Sequence, residues 1–403
     1  MLSGLRVLDC TDESGFLAGR ILCDLGADVI KLEPPDGDLE RRRGPFLGGV
    51  PDPEHSICWL AQNAGKRGLT LDLGHPRGPE LLHRLLESCD VLLESYPPGW
   101  LADRGLAPSI LRARHPRLVH GSITPWGGSG PRSQWRGGDL SVVAAGGNAA
   151  LTGKPEGPPL RCSQPTAYLH GGPEAVVGIL FALHAREESG LGQDVDLSLH
   201  ESQLMTLLGL PGQIAREGGS FPRTGARIGR TREIWPAADG FISFGLRGGP
   251  ARVRNLRATV AYMEECGLAP DWLAEYDWEA YDPRSLSKDE LERLEEAFAA
   301  FFRSRTMREL YEEALRRRIL LAPCNDPRAV LEQPQLRSRD FFVSLEYPDG
   351  SRIEHPAFFA RCEEGGPRLR RRAPALGEHA EEIWADVGIG REELAALREE
   401  GVV

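Results

Sequence analysis

Over its first two hundred residues this 403-residue chain alternates short apolar, β-branched runs with amphipathic stretches, and that alternation limits the fold more than any other feature. LRVLDC (5–10) reads as a buried strand, SGFLAGRILCDLG (14–26) as a helix with Phe16, Leu17, Ile21, Leu22 and Leu25 on one side, and ADVIKLEP (27–34) as the next strand. Strand, helix and strand make a βαβ unit. GLTLDL (68–73), PELLHRLLESC (79–89), DVLLESY (90–96) and RLVHGSIT (117–124) continue the series. The expected fold class is therefore α/β, with a Rossmann-like, doubly wound, mostly parallel sheet that takes its ligand at the carboxyl ends of the strands.

The alternation stops in a Gly/Pro-rich stretch from Trp126 to Pro159, long enough to mark a site region. A helix from about Pro173 to Glu188 then leads into the strand QDVDLSL (193–199). From GGSFPRTGARIGRTREIWPAADGFISFGL onward the sequence is rich in turns and then in amphipathic helix, with 288–319 read as two helices joined near Ser304, Arg305 and Thr306. A chain of this length is expected to form two or three units. The reading is a large domain over 1–205, a linker over 206–224, a smaller α+β domain over 225–325, and a C-terminal segment, 326–403, that returns to the large domain.

Composition excludes several functions. With 41% hydrophobic and 27% charged residues the chain suits a soluble globular protein. A formal charge of −11 argues against a nucleic-acid partner. Arg316 to Arg318 and Arg370 to Arg372 read as solvated clusters, and Arg41 to Arg43 as a candidate anion site. The eight cysteines stand apart, with no CxxC pair and no histidine at zinc-ligand spacing, so they are expected to be reduced and buried, and no metal site is expected. MLSGLRVLDC lacks the basic and apolar regions of a signal peptide, and no apolar run has the length of a membrane span; a cytoplasmic protein with no membrane partner is expected. The first strand-to-helix turn, CTDESGFLAG, lacks GxGxxG, which sets a dinucleotide reading aside although Glu33 closes the second strand. No GxSxG follows a strand and no HExxH is present, so residue chemistry alone yields a ligand-binding α/β protein.

A set of motifs, taken in order, narrows this further. LRVLDCTD, AGRILCDLGADVIKLEPPDGDLERRRGPF, NAGKRGLTLDL, DVLLESYPPGWLADRGL, HPRLVHGSITPWGGSGP, GILFALHAREESGLGQDVDLSLHES and APALGEHAEEIWADVGIGREELAALREEGVV together resemble the family III CoA-transferases, which include formyl-CoA transferase and carnitine-CoA transferase. The resemblance covers almost the whole chain. It implies a Rossmann-like large domain, a smaller second domain and two chains interlocked as a dimer. It also implies a chemistry in which an aspartate attacks an acyl-CoA thioester to give a mixed anhydride. The released thiolate converts that anhydride to an enzyme-bound CoA thioester, and an incoming carboxylate collects the CoA. Coenzyme A or an acyl-CoA is then substrate or ligand, with no cofactor held covalently.

In the family the aspartate opens a pattern D-x-x-x-G, with a second glycine six residues later at the head of a G-I-L-x-A-L helix. Counting back from Gly178 and Gly172 places Tyr168, in QPTAYLHGG, on the aspartate position. A phenol, with a pKa of about 10, has no carbonyl on which to carry CoA. His170, Asp139 and Glu174 are outside candidates for a displaced nucleophile. The related racemases exchange an α-proton with a histidine and an aspartate; the resemblance places Gly138 and Tyr168 there. By residue-to-residue match it places CoA contacts at Ser14, Arg41, Lys66, Arg67, Ser95, Tyr96, Arg104 and Arg136. Three roles follow as expectations. The chain is the non-catalytic partner of a homologous, Asp-bearing subunit in a heterodimer or heterotetramer, or an active transferase using another carboxylate, or a CoA-binding homodimer without turnover. The substrate pocket is expected among loops near 126–160 and 221–235, which carry Trp126, Trp135 and Trp235.

Overall fold

The βαβ alternation closes into a six-stranded sheet in the computed structural model, which describes residues 1–219, 221–364 and 366–403. In chain order come β1 (Arg6–Cys10), α1 (Phe16–Asp24), β2 (Asp28–Glu33), α2 (Ile57–Gln62), β3 (Arg67–Thr70), α3 (Gly78–Leu86), β4 (Val91–Glu94), α4 (Pro108–Arg114) and β5 (Val119–Thr124). They are followed by α5 (Asp139–Ala145), α6 (Asn148–Leu151), α7 (Thr166–Ser189), β6 (Asp194–Ser198), α8 (Leu199–Met205) and α9 (Leu210–Glu217). The strands lie in the order β3-β2-β1-β4-β5-β6, each pair parallel. Strand order reverses between β1 and β4, and such a switch point leaves a crevice outside the carboxyl ends.

Alternate side chains of each strand point to opposite faces, so the sheet feeds two cores. Leu8, Ile30, Leu69 and Leu92 pack with Leu81, Leu82 and Leu85 of α3 on one face. Val7, Val29, Val91 and Leu93 pack on the other with Ala18 and Leu22 of α1 and Ile179 and Ala182 of α7. Two glycines set how closely α7 approaches. A Cβ on Gly172 would stand 3.2 Å from the Ala18 nitrogen, and one on Gly171 would stand 2.2 Å from Leu199 Cδ2. The helix starts at Thr166, not near Pro173 as its sequence suggests, because packing holds this Gly-Gly-Pro segment helical against its weak propensity.

The chain divides into two compact units, one of Met1–Ala149, Arg161–Gly219 and Arg337–Val403, the other of Ala150–Leu160 and Ser220–Leu336. The span expected as a linker therefore carries α9 and stays with the first unit as far as Gly219, while 326–336 stays with the second. The second unit holds β7 (Arg227–Ile228), β8 (Thr231–Arg232), β9 (Ile234–Pro236), β10 (Phe241–Phe244), α10 (Pro250–Glu265), α11 (Asp271–Ala274), α12 (Lys288–Arg303), α13 (Met307–Arg317), β11 (Leu321–Pro323) and α14 (Pro327–Glu332). Reciprocal capping boxes at Ser287/Glu290 and Thr306/Glu309 start α12 and α13, which separates the two helices at 304–306. Trp235 is sealed in this unit's aromatic core and donates to the Phe244 carbonyl at 2.6 Å, so it lines no pocket. After α15 (Pro334–Ser338) come β12 (Phe342–Glu346), β13 (Arg352–Pro356), α16 (Ala380–Asp386) and α17 (Arg391–Glu399). Ile383, Trp384, Leu394 and Leu397 of the last two helices complete the α3 core.

Cys162, Cys324 and Cys362 are exposed, against the expectation of burial, because they lie outside helices and strands, away from the apolar layers. Among the described residues no cluster of metal-ligating side chains occurs, and no helix is long and apolar enough to cross a membrane.

Candidate functional site

At the switch point the turns that leave β1 and β4 border one cleft. It has a volume of about 530 Å³ and is lined by Asp12 and Ser14 after β1, Ser95 and Tyr96 after β4, Pro125 after β5, Trp135 and Arg136 of the next loop, and Tyr168 of α7. A second cavity, of about 570 Å³, is lined by Glu13, Arg43, Asp139, Ser141, Arg161 and again Tyr168. One phenol therefore belongs to both.

Tyr168 is fixed by the start of α5. Its hydroxyl oxygen accepts the Asp139 backbone N–H at 3.0 Å, and Asp139 Oδ1 accepts the Ala167 N–H at 2.9 Å. Arg161 stands 3.5 Å from Asp139 Oδ2. Burial, and then the charge of Glu13, pushes the phenol up to about 12, so it is neutral in ordinary buffers. Glu13 is ion-paired to Arg43, whose guanidinium also donates to Glu40 at 3.0 Å. Burial and repulsion from Glu40 raise the Glu13 carboxyl to about 7 against the pull of Arg43. An acid whose pKa is raised this far beside a cavity is a functional candidate. Glu13 is not among the candidates the sequence offers, since its turn, CTDESGFLAG, lacks the glycines of a phosphate-binding loop. The signal for it in the sequence is an acid in the turn between β1 and α1.

The structure gathers Ser14, Ser95, Tyr96, Arg136 and Tyr168 around the first cleft. Three of the expected CoA contacts lie elsewhere, for physical reasons. Lys66 is fully buried, and its ammonium donates to Asp9 Oδ2 at 2.7 Å, Asn63 Oδ1 at 2.8 Å and the Phe16 carbonyl at 3.0 Å, which uses all three donors. Burial lowers the pKa of Lys66, whereas for Asp9 the charges of Lys66 and Lys31 overcome burial and hold the carboxyl low. Arg41 is 1% exposed and grips Glu33 bidentately at 2.6 and 2.9 Å, with its guanidinium 4.0 Å over the Trp59 ring. It holds Glu33 and Glu54 in place and presents no anion site. Arg67 grips Asp28 at 2.9 and 2.5 Å beside Arg6, at the amino ends of the strands and so at the opposite edge of the sheet.

Arg104 lies 3.6 Å over Trp100, which stacks on Tyr96 at 4.0 Å, so it reaches the cleft only through that stack. His170 and Glu174, farther along α7, line neither cavity. Trp135 lines the cleft, while Trp126 packs against His200. A third cavity, of about 320 Å³, includes Glu94, Tyr96, His120, Ser122 and Asp194. His120 Nδ1 is 3.1 Å from Asp194 Oδ1 and Nε2 is 3.5 Å from Glu94 Oε1. Burial alone would lower this imidazole, but the two carboxylates lift it to about 9.

An open parallel sheet with a polar cleft at its switch point defines an α/β protein built to hold a ligand between β1 and β4. The model of CoA-transferase family III matches residues 2–380, and the chain belongs to that family. It is 34% identical over 405 residues to the succinyl-CoA:(R)-benzylsuccinate CoA-transferase subunit BbsE of Thauera aromatica, covering 100% of this chain and 98% of that one. It is 29% identical over 398 residues to the succinate–glutarate CoA-transferase of Agrobacterium fabrum, covering 96% and 95% of the two. The crystal structure of a CAIB/BAIF family protein from Brucella suis superposes with a TM-score of 0.80 at 27% identity, over 96% of this chain and 99% of that chain.

Proposed function

We propose that this chain is a CoA-binding subunit of a family III CoA-transferase and the non-catalytic partner of a homologous subunit that carries the aspartate. The observation that carries the reading is Tyr168. It occupies the position at which the motif count places the family's nucleophile, and a phenol offers no carbonyl to become a CoA thioester. Its hydroxyl is also held by the Asp139 N–H and stays neutral. The name of the BbsE relative, a transferase subunit, supports a heteromeric arrangement. That relative and the succinate–glutarate enzyme are both named for dicarboxylic acids, which supports a dicarboxylate as acceptor and succinyl-CoA as donor here. Ser14, Ser95, Tyr96 and Arg136 are the CoA contacts this reading keeps.

A second reading rests on Glu13, which borders the same cavity as Tyr168, has a carboxyl raised to about 7, and has the carbonyl that a thioester requires. Turnover separates the two. The purified chain, given succinyl-CoA and glutarate, is expected to form no glutaryl-CoA, and to support its formation once an Asp-bearing homologue is added. Exchange by this chain by itself, abolished in Glu13→Gln, would establish the second reading instead.

A further inference from the structure

Away from the cleft, the β4–β6 half of the sheet carries a polar floor of its own. In the parallel register Leu92 lies beside His120 and His120 beside Asp194, so these side chains share the sheet face that packs on α3. Glu94, Ser122 and Asp196, each two residues farther along, share that face as well. All but Leu92 line the cavity of about 320 Å³, whose remaining wall is largely apolar, from residues such as Pro97, Leu101, Pro108 and Val195. His120 is 6% exposed, and at neutral pH its ring is an imidazolium. Nδ1 is committed to Asp194, whereas Nε2 has no hydrogen-bond partner among the described residues. Glu94 Oε1 stands 3.5 Å from Nε2, beyond the ordinary N–H···O range. A buried donor left unpaired is costly. An oxygen at about 2.8 Å from both atoms closes that gap, accepting from the imidazolium and donating its own proton to the carboxylate. A hydroxyl does both. An ammonium has no lone pair for Nε2–H, and a carboxylate has no proton for Glu94 and is repelled by Asp194 and Asp196.

From this we infer that the β4–β6 face holds a second ligand site, which takes an uncharged alcohol with a small apolar body, its hydroxyl bridging His120 Nε2 and Glu94 Oε1. Asp194 is the positioning residue, since it holds the other ring nitrogen. Its own charge is met on the outer side by Arg112 at 2.7 Å. The site goes beyond the CoA-binding reading and does not depend on it: of the residues that line this cavity, Tyr96, Pro97 and Pro98 also line the cleft, and the bridging pair does not.

Saturation-transfer NMR of the full chain tests it with benzyl alcohol, benzylamine and benzoate, three probes that share a ring and differ in charge. The alcohol is expected to bind the native chain most tightly. His120→Gln, which removes the charged donor, should weaken the alcohol about 10-fold. Ser122→Val, which narrows the cavity without removing a charge, should weaken it about 5-fold or more, and keeps the test open if the first variant folds poorly. Tighter binding of benzylamine or benzoate would give the floor a different ligand class and overturn the inference. Alcohol binding that neither substitution weakens would place the probe elsewhere, and no alcohol binding at all would leave the cavity to water. Either result overturns the inference and leaves the CoA-binding reading as it stands.

Discussion

Two groups of ionisable side chains adjoin the first turn of the protein, and the fold treats them in opposite ways. Beneath the turn, Asp9, Lys31 and Lys66 are at most 1% exposed. Lys31 donates to the Thr11 carbonyl at 2.6 Å and Lys66 to the Phe16 carbonyl at 3.0 Å, so two buried ammoniums hold the turn at both ends. Beside it, Glu13, Arg43, Asp139 and Arg161 border a cavity, and Glu13 titrates near neutrality. The first group builds the switch point and the second faces whatever enters it.

The sharpest way to break this contrast is to remove one charge from the sealed group. Lys66→Ala leaves Asp9 buried without its main counter-charge, and a loss of about 3–5 kcal/mol is expected in urea unfolding. A variant as stable as the native chain would abolish the distinction.

Next in size is the buried imidazole. For His120, lifted from 6.5 to about 9, each pKa unit is worth about 1.4 kcal/mol. The folded state binds this proton more tightly than the unfolded chain. The added stability, about 3–4 kcal/mol, is therefore complete below pH 6.5 and lost as pH rises through 9. Unfolding free energies measured across that range should flatten in His120→Gln.

Tyr168→Phe removes one acceptor from the Asp139 N–H, and a cost of about 0.5–1.5 kcal/mol is expected, readable as a shift of the urea midpoint. The smallest effect belongs to the open group. Arg43→Ala, at a side chain 58% exposed, should cost less than about 1 kcal/mol. Glu13 repeats the sign of His120 with an acid: its folded pKa is raised, so its contribution is present below pH 4.5 and fades as pH climbs through about 7. Glu13→Gln should remove that slope.

The strands and crossover helices of the first unit were legible because a parallel sheet buried on both faces writes itself as apolar runs at regular spacing. The start of α7 was not, since Gly171 and Gly172 read as a break and are helical only through contact with α1 and α8. Among site residues, Ser14, Ser95, Tyr96 and Arg136 follow strands in the sequence and surround the cleft. Lys66 and Arg41 carry the same family signal yet face inward, and a pattern of letters does not distinguish a cation that waits for phosphate from one already paired beneath the surface. Trp235 is a parallel case: a large ring in a turn-rich segment suggests a pocket, and the fold seals it in a core. Glu13 escaped because an acid in a polar turn looks like surface until its neighbours Glu40 and Tyr168 are known.

The central claim is that no carboxylate of this chain carries CoA. Its most direct test is to incubate the purified native protein with succinyl-CoA, reduce with borohydride, and map every Asp and Glu by mass spectrometry. The account predicts unmodified acids throughout, Glu13, Asp139 and Glu174 included. An alcohol at Glu13, the product of reducing an enzyme-bound thioester, would contradict it.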